Sequence, residues 1–201
     1  MIKQSALVLI EFQREWLDED GKINPLMQDR KQFQVAIAAA KQALEAARQA
    51  GMPIVHCGLK FQPGHPELGQ AQYGLREAIA RFGTFSVEEK GSQFVEPFVP
   101  QAGEFVVQGR TGGSGFAGSN LDSYLRNQGI TKIYLAGFAL HVCVESTLRH
   151  GHDLGYTTIV LEDACAAFNQ AQRQHVLEDV VHHFGERMTV DQFITQISSV
   201  T

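Results

Sequence analysis

Apolar runs and amphipathic segments alternate along the chain. SALVLIEF (5–12) is apolar without a break up to Glu11, the pattern of a strand buried on both faces. From Asp29 onward Phe33, Ile37, Ala40, Leu44 and Ala47 recur at helical spacing, and Gly51 and Pro53 end that helix. MPIVHCGL (52–59) reads as the next strand, and KFQPGHPELGQ (60–70) has the Pro and Gly content of a loop. Residues 71–99 show helical tendency around LREAIARF and otherwise no clear period. EFVVQ (104–108) is a short strand, followed by the glycine-rich GRTGGSGFAG. A helix over 119–128 has Ser119 and Asp122 placed as a capping pair and Gly129 at its end. ITKIYLAG (130–137) is a strand, and a helix runs from about His141 to Gly155. TTIVLED (157–163) is a strand ending in two carboxylates. A helix around 170–183, the strand ERMTV (186–190) and a last helix over 191–199 complete the chain.

Six strands alternating with helices, without linker or internal repeat, predict an α/β fold. The expected form is a single domain over 1–201, with three α/β/α layers and a six-stranded, mostly parallel sheet joined by right-handed crossovers. Such sheets bind ligands at the carboxyl ends of their strands. Attention therefore falls on Glu11, the loop from Gly109, Cys143 and Asp163.

Composition narrows the function classes. A chain of 201 residues with 44% hydrophobic and 19% charged content has an ordinary globular make-up. The net charge of -5, with no Lys/Arg cluster, argues against a nucleic-acid partner. ALVLI is cut short by Glu11 and makes no signal peptide, and no run nears the ~20 apolar residues of a membrane span. Cys57, Cys143 and Cys165 are too far apart in sequence for a CxxC pair, so free thiols and a cytoplasmic location are expected. His150 and His152 cannot share a helical face, His182 and His183 are adjacent, and no HExxH occurs. No metal and no cofactor are expected.

Cys143 is placed at the start of a helix, where unsatisfied N–H groups and the helix dipole favour thiolate and can hold an oxyanion. An isolated free cysteine is also an ordinary core residue, so both readings stand for Cys143; core filling suits Cys57 and Cys165 better. Glu11 is costly to bury unless paired, or it marks where the strand meets solvent. Arg110 could neutralise a thiolate or pair with Glu11, or simply be solvated. Gly113 to Gly118 spell GxGxxG, but the next strand ends in Gly137-Phe138 without the carboxylate a dinucleotide site needs. Those glycines read as a tight turn near a site.

ALVLIEFQREW (6–16), GRTGGSGFAGSNLDSYLRNQGI (109–130), AGFALHVCVESTLRHGHDLGY (136–156) and VLEDACAA (160–167) together resemble the isochorismatase-like hydrolase superfamily. The likeness is to its cysteine-hydrolase group, which includes nicotinamidase, N-carbamoylsarcosine amidase and ureidoacrylate amidohydrolase. It spans nearly the whole chain. The family's triad is Asp, Lys and Cys; the matching positions here are Glu11, Arg110 and Cys143, so the charge signs are kept while two side chains are longer. The resemblance implies a cis peptide at Phe138-Ala139 and an oxyanion hole from the N–H groups of Ala139 and Cys143. Gln13, Trp16, Phe116, Phe138 and His141 are expected around the substrate pocket. Zinc-binding members carry Asp-x-His where this chain has GLKFQPGH, which disfavours nicotinamidase, and Cys143 disfavours the vinyl-ether reaction of true isochorismatases.

The expected protein is a metal-independent cysteine hydrolase. It would cleave the C–N bond of a small amide or ureido substrate through a Cys143 acyl-enzyme, with Arg110 lowering the thiolate pKa. Family likeness also implies a homo-oligomer, dimer or tetramer. The alternative is a catalytically weak member that binds a small ligand or serves in assembly, motivated by Glu11 and Arg110.

Overall fold

The computed structural model describes residues 2–199. Its centre is a six-stranded parallel sheet in the order β3-β2-β1-β4-β5-β6. The strands are β1 (Ser5–Ile10), β2 (Ile54–Cys57), β3 (Phe105–Val106), β4 (Lys132–Phe138), β5 (Thr157–Ala166) and β6 (Glu186–Met188). Every residue of β1 is buried, and its side chains alternate between two apolar layers. Leu7 and Leu9 join the layer that holds α2 (Arg30–Gln49) and α8 (Val190–Ser198). Ala6, Val8 and Ile10 join the layer with α4 (Leu121–Asn127) and α5 (Glu145–Asp153). This period-two sorting is why the strand reads as an unbroken apolar run.

The long helix α2 starts where expected: the Asp29 carboxylate accepts the Gln32 N–H at 3.0 Å. Its buried stripe holds Phe33, Ala36, Ala39, Ala40, Ala43, Leu44 and Ala47, with Ile37 half-buried at its margin. Small alanines bring this helix close to the sheet, so Phe33 can meet Phe138 at 5.0 Å between ring centroids.

Several boundaries differ from the sequence pattern. The short helix α1 (Arg14–Leu17) follows β1 directly, and α3 (Gly74–Phe82) gives LREAIARF a definite place. β3 has only two residues, an edge strand for which EFVVQ is too generous. The helix expected from His141 opens with a π-helical turn at Leu140–Val144 before α5. The one expected over 170–183 is α6 (Gln170–His175), a second π-helical turn and α7 (Val181–Phe184). Ser119 and Asp122 form no capping pair. Ser119 Oγ accepts the Leu121 N–H at 3.2 Å, whereas Asp122 takes the Tyr156 hydroxyl at 2.7 Å and pairs with Arg126. β5 continues past its two carboxylates, and Asp163 accepts the Val190 N–H at 2.8 Å, so it serves the start of α8.

The chain leaves β1 toward β2 and β3, then returns to the other side of β1 with β4. The carboxyl ends of β1 and β4 therefore flank the point where the winding reverses, and a cleft opens there. Gly137 sits opposite Ile10 in this pair with φ of 137°, and a Cβ on it would lie 2.0 Å from the Ile10 carbonyl oxygen. Only glycine lets the strands stay paired up to the cleft.

A polar cluster ties β2 to α2 below the edge strand. Glu104 is held by Arg48 Nε at 2.7 Å and His56 Nε2 at 2.7 Å. Burial opposes its charge, but hydrogen bonds from Arg48, the Gln101 N–H and His56 outweigh this and lower its pKa to about 2. Burial also lowers the His56 pKa, keeping the ring neutral against the pull of Glu104. Both folded pKa values lie below the unfolded ones. The Glu104 contribution is thus complete above about 4.5 and lost as pH falls toward 2, and fully buried His56 subtracts stability as pH drops below about 6.5. Glu104→Gln should cost about 2 kcal/mol at pH 7 and flatten the acid limb of a urea-denaturation series below pH 5; an unchanged limb would count against the cluster.

Candidate active site

Each strand end at the cleft delivers one ionisable side chain. Glu11 follows β1 with φ of 59°, a left-handed backbone unusual for a residue with a Cβ. That turn directs its carboxylate inward, where it is 1% exposed. Arg110 follows β3 and is 3% exposed; its Nη2 meets Glu11 Oε1 at 2.7 Å. The other Glu11 oxygen accepts Trp16 Nε1–H at 2.8 Å, so α1 fixes the carboxylate from a second side.

The glycine-rich loop exists around this arginine. Arg110 donates from Nε to the Gly112 carbonyl at 3.1 Å, from Nη2 to the Gly113 carbonyl at 2.6 Å, and from Nη1 to the Cys57 carbonyl at 3.1 Å. Gly115 lets the loop pass against Cys57, whose Sγ would lie 2.9 Å from a Cβ there. The Gly115 N–H donates to Thr147 Oγ1, and that hydroxyl donates to the Cys143 carbonyl at 2.7 Å. One chain of bonds thus connects the loop to the turn bearing Cys143.

Cys143 lies in the π-helical turn after β4, 3% exposed, and the charges of Glu11 and Arg110 both act on its thiol. The Phe138-Ala139 peptide is cis, as the resemblance implies. Ala139 and Cys143 both face a cavity of about 250 Å³, which Glu11 and Trp16 also line. Among the described residues no three His, Cys, Asp or Glu side chains converge as a metal site. No helix among them is long and apolar enough to cross a membrane.

The isochorismatase domain model matches residues 5–192. The chain belongs to the isochorismatase family. It is 33% identical over 204 residues to the ureidoacrylate amidohydrolase RutB of Stutzerimonas stutzeri, covering 94% of this chain and 81% of that protein. A cysteine hydrolase from Pseudomonas syringae pv. phaseolicola has the same fold, with a TM-score of 0.82, 21% identity and coverage of 100% of this chain and 95% of that one. N-carbamoylsarcosine amidase from Thermoplasma acidophilum follows at a TM-score of 0.71 and 24% identity, covering 94% and 97%. At such identities the structural likeness speaks for the fold alone.

Four of the expected pocket residues of this family member lie elsewhere. Gln13 is buried and spent on backbone: its Nε2 donates to the Leu59 and Ser92 carbonyls, each at 2.7 Å, and its Oε1 accepts the Leu59 N–H. It shapes the cavity wall from behind. Phe116 packs in the α4–α5 layer against His150 and Tyr156. Phe138 is core, with Phe12 at 4.9 Å and Phe33 at 5.0 Å. The His141 ring stands edge-on to Phe168 at 4.4 Å and is not a wall of the cavity; Phe168 is. Burial lowers the His141 pKa, and its buried Nδ1 has no hydrogen-bond partner. Cys57, read as filler, instead backs the site, with its carbonyl and, at 3.9 Å, its sulfur facing Arg110.

The sequence pattern missed Glu15 and most of the wall. Glu15, 1% exposed, accepts the N–H groups of Lys22 and Phe85 and so fastens two cavity-lining segments to α1. Leu75, Ala78, Ile79 and Phe82 of α3 face the cavity. Their i, i+3, i+4, i+7 spacing was the available signal.

The surroundings of the thiol act on it in opposite directions. Burial and the negative charge of Glu11 raise the Cys143 pKa well above the ordinary value, and Arg110 offsets this only in part. Arg110 stays charged: burial disfavours its cation, but the charge of Glu11 at 2.7 Å restores it. The resting site is therefore a neutral thiol beside a carboxylate–guanidinium pair. Iodoacetamide should label Cys143 of the free protein slowly at pH 7.5, with a rate still climbing above pH 9. A fast-labelling cysteine with a midpoint well below about 8.5 would contradict this protonation state.

Proposed function

We propose that this chain is a cysteine hydrolase that cleaves the C–N bond of a small amide or ureido compound. The observation that carries the reading is the buried Glu11–Arg110 pair, 2.7 Å apart, at the floor of a cavity beside the Cys143 thiol. The curated relative's ureidoacrylate amidohydrolase activity supports the same class of reaction.

In this mechanism Glu11 takes the Cys143 proton as Sγ bonds to the substrate carbonyl carbon. The carbonyl π electrons move to oxygen, and the N–H groups of Ala139 and Cys143 hold that oxyanion. The C–N bond then breaks, and the nitrogen leaves with the proton from Glu11. Water enters, Glu11 takes its proton, and hydroxide attacks the thioester. The thiolate leaves and recovers the proton, which restores the starting state. Proton transfer from Cys143 to Glu11 moves the negative charge from one neighbour of Arg110 to another. The fixed cation therefore offsets a thiolate that burial alone would forbid. Arg110 needs no titration for this, so its replacement of the usual lysine is compatible with catalysis.

The binding-only alternative rested on Glu11 and Arg110 being a mismatched pair. Their contact and the surrounding bonds remove that motive.

Release of ammonia or amine from a panel of small amides and ureido compounds tests the proposal. Cys143→Ala should lower turnover to background with little change in Tm, and Glu11→Gln should cost about a thousandfold in kcat. Arg110→Lys should lower kcat about a hundredfold, because one ammonium cannot reach Glu11 and three carbonyls together. Full turnover by Cys143→Ala would end this mechanism.

A further inference from the structure

The cavity walls carry information about the substrate beyond the reacting bond. Around Cys143 and Ala139 the cavity is walled by Leu59, Ile79, Phe82, Phe85, Val142 and Phe168. Its polar lining side chains are few and mostly committed. Glu11 is neutralised by Arg110, and Trp16 Nε1 is spent on Glu11. Lys22 is the one cation lining the cavity among the described residues, and it is already engaged: its Nζ pairs with the Glu89 carboxylate and donates to the Gly83 carbonyl at 2.7 Å. Thr84 adds a single neutral hydroxyl. A substrate carboxylate entering here would lose its water and gain no free cation, a heavy cost in an apolar site. An apolar group would gain what the walls gain by losing water. About 150 Å³ of apolar cavity accommodates a benzene-sized ring, so about 250 Å³ leaves room for such a group beside the reacting carbonyl.

We propose that the substrate is a neutral amide or ureide bearing an apolar alkyl or aryl group, and that anionic substrates such as a ureido acid are excluded by the wall. This deepens the hydrolase reading and rests on it. It separates the chain from relatives named for ureidoacrylate, whose name denotes an acid.

Matched pairs test it: hexanamide against adipamate, and pentylurea against its ω-carboxylate analogue, where only the terminal methyl changes. The expected kcat/KM favours the apolar member of each pair by about a hundredfold or more. Equal rates, or preference for the carboxylate, would overturn the proposal while leaving the hydrolase reading intact. Titration of the same compounds into Cys143→Ala protein separates the two ideas. A hundredfold tighter fit of the apolar members without turnover by the unaltered protein upholds the cavity and sinks the hydrolase. Failure of the apolar members to bind tighter sinks the cavity proposal. Glu89→Gln, at a half-exposed position, should free Lys22 and narrow the gap within each pair about tenfold; an unchanged gap would overturn the part assigned to the Lys22–Glu89 pair.

Discussion

The buried ion pair between Glu11 and Arg110 is the constraint around which the carboxyl edge of the sheet is organised. Two full charges, each about 1% exposed in its side chain, persist in an apolar interior only if their remaining hydrogen-bonding capacity is filled. The structure fills it from three segments. α1 supplies Trp16 to the carboxylate, β2 supplies the Cys57 carbonyl, and the glycine-rich loop supplies two more carbonyls to the guanidinium. Removing either charge would strand the other, a loss on the order of 3–5 kcal/mol. The pair is therefore a fastener that draws β1, β2 and the loop after β3 together, and it is the centre of the proposed chemistry.

The unusual length of both side chains becomes intelligible on these terms. A longer carboxylate and a longer cation cannot simply replace shorter ones at the same separation. Here the left-handed turn at Glu11 and the curl of Arg110 back to Gly112 and Gly113 hold both side chains in contact. An arginine has five donors in a planar fork, and four of them are satisfied by oxygen in this arrangement. The glycines of GRTGGSGFAG answer to that cation and to close passage against Cys57.

The fold was legible because burial writes itself into a parallel sheet: SALVLI and KIYLAG are apolar on both faces, and α2 shows its stripe. The proposed reacting groups were legible because charged or nucleophilic residues at the ends of such strands stand out. The pocket walls were not. Gln13, Phe116, Phe138 and His141 neighbour the motif residues in sequence, but each side chain leaves the strand end in a direction set by tertiary packing. Phe138 turns into the α2 layer and Phe116 into the opposite one. Conversely, the spacing of Leu75, Ala78, Ile79 and Phe82 marks a helix face, but nothing local says that α3 covers the cleft. Boundary errors had a similar source. The π-helical turn at Leu140–Val144 widens the backbone where Cys143 must meet the cavity, and hydrophobic spacing cannot distinguish it from an ordinary helical turn.

The apolar walls and the ion pair are two parts of one arrangement. In a wet cleft Glu11 and Arg110 would be screened, and proton transfer from a neutral thiol would gain little from their field. Closing the cleft with leucine, isoleucine and phenylalanine side chains keeps the local dielectric low, which strengthens the hold of Arg110 on whichever neighbour bears the negative charge. The same walls raise the resting pKa of Cys143, and in the proposed mechanism the thiolate forms as Glu11 receives the proton. A substrate carrying its own charge would bring water and a competing field to that transfer. A neutral, apolar one would displace water and leave the Glu11–Cys143–Arg110 exchange undisturbed.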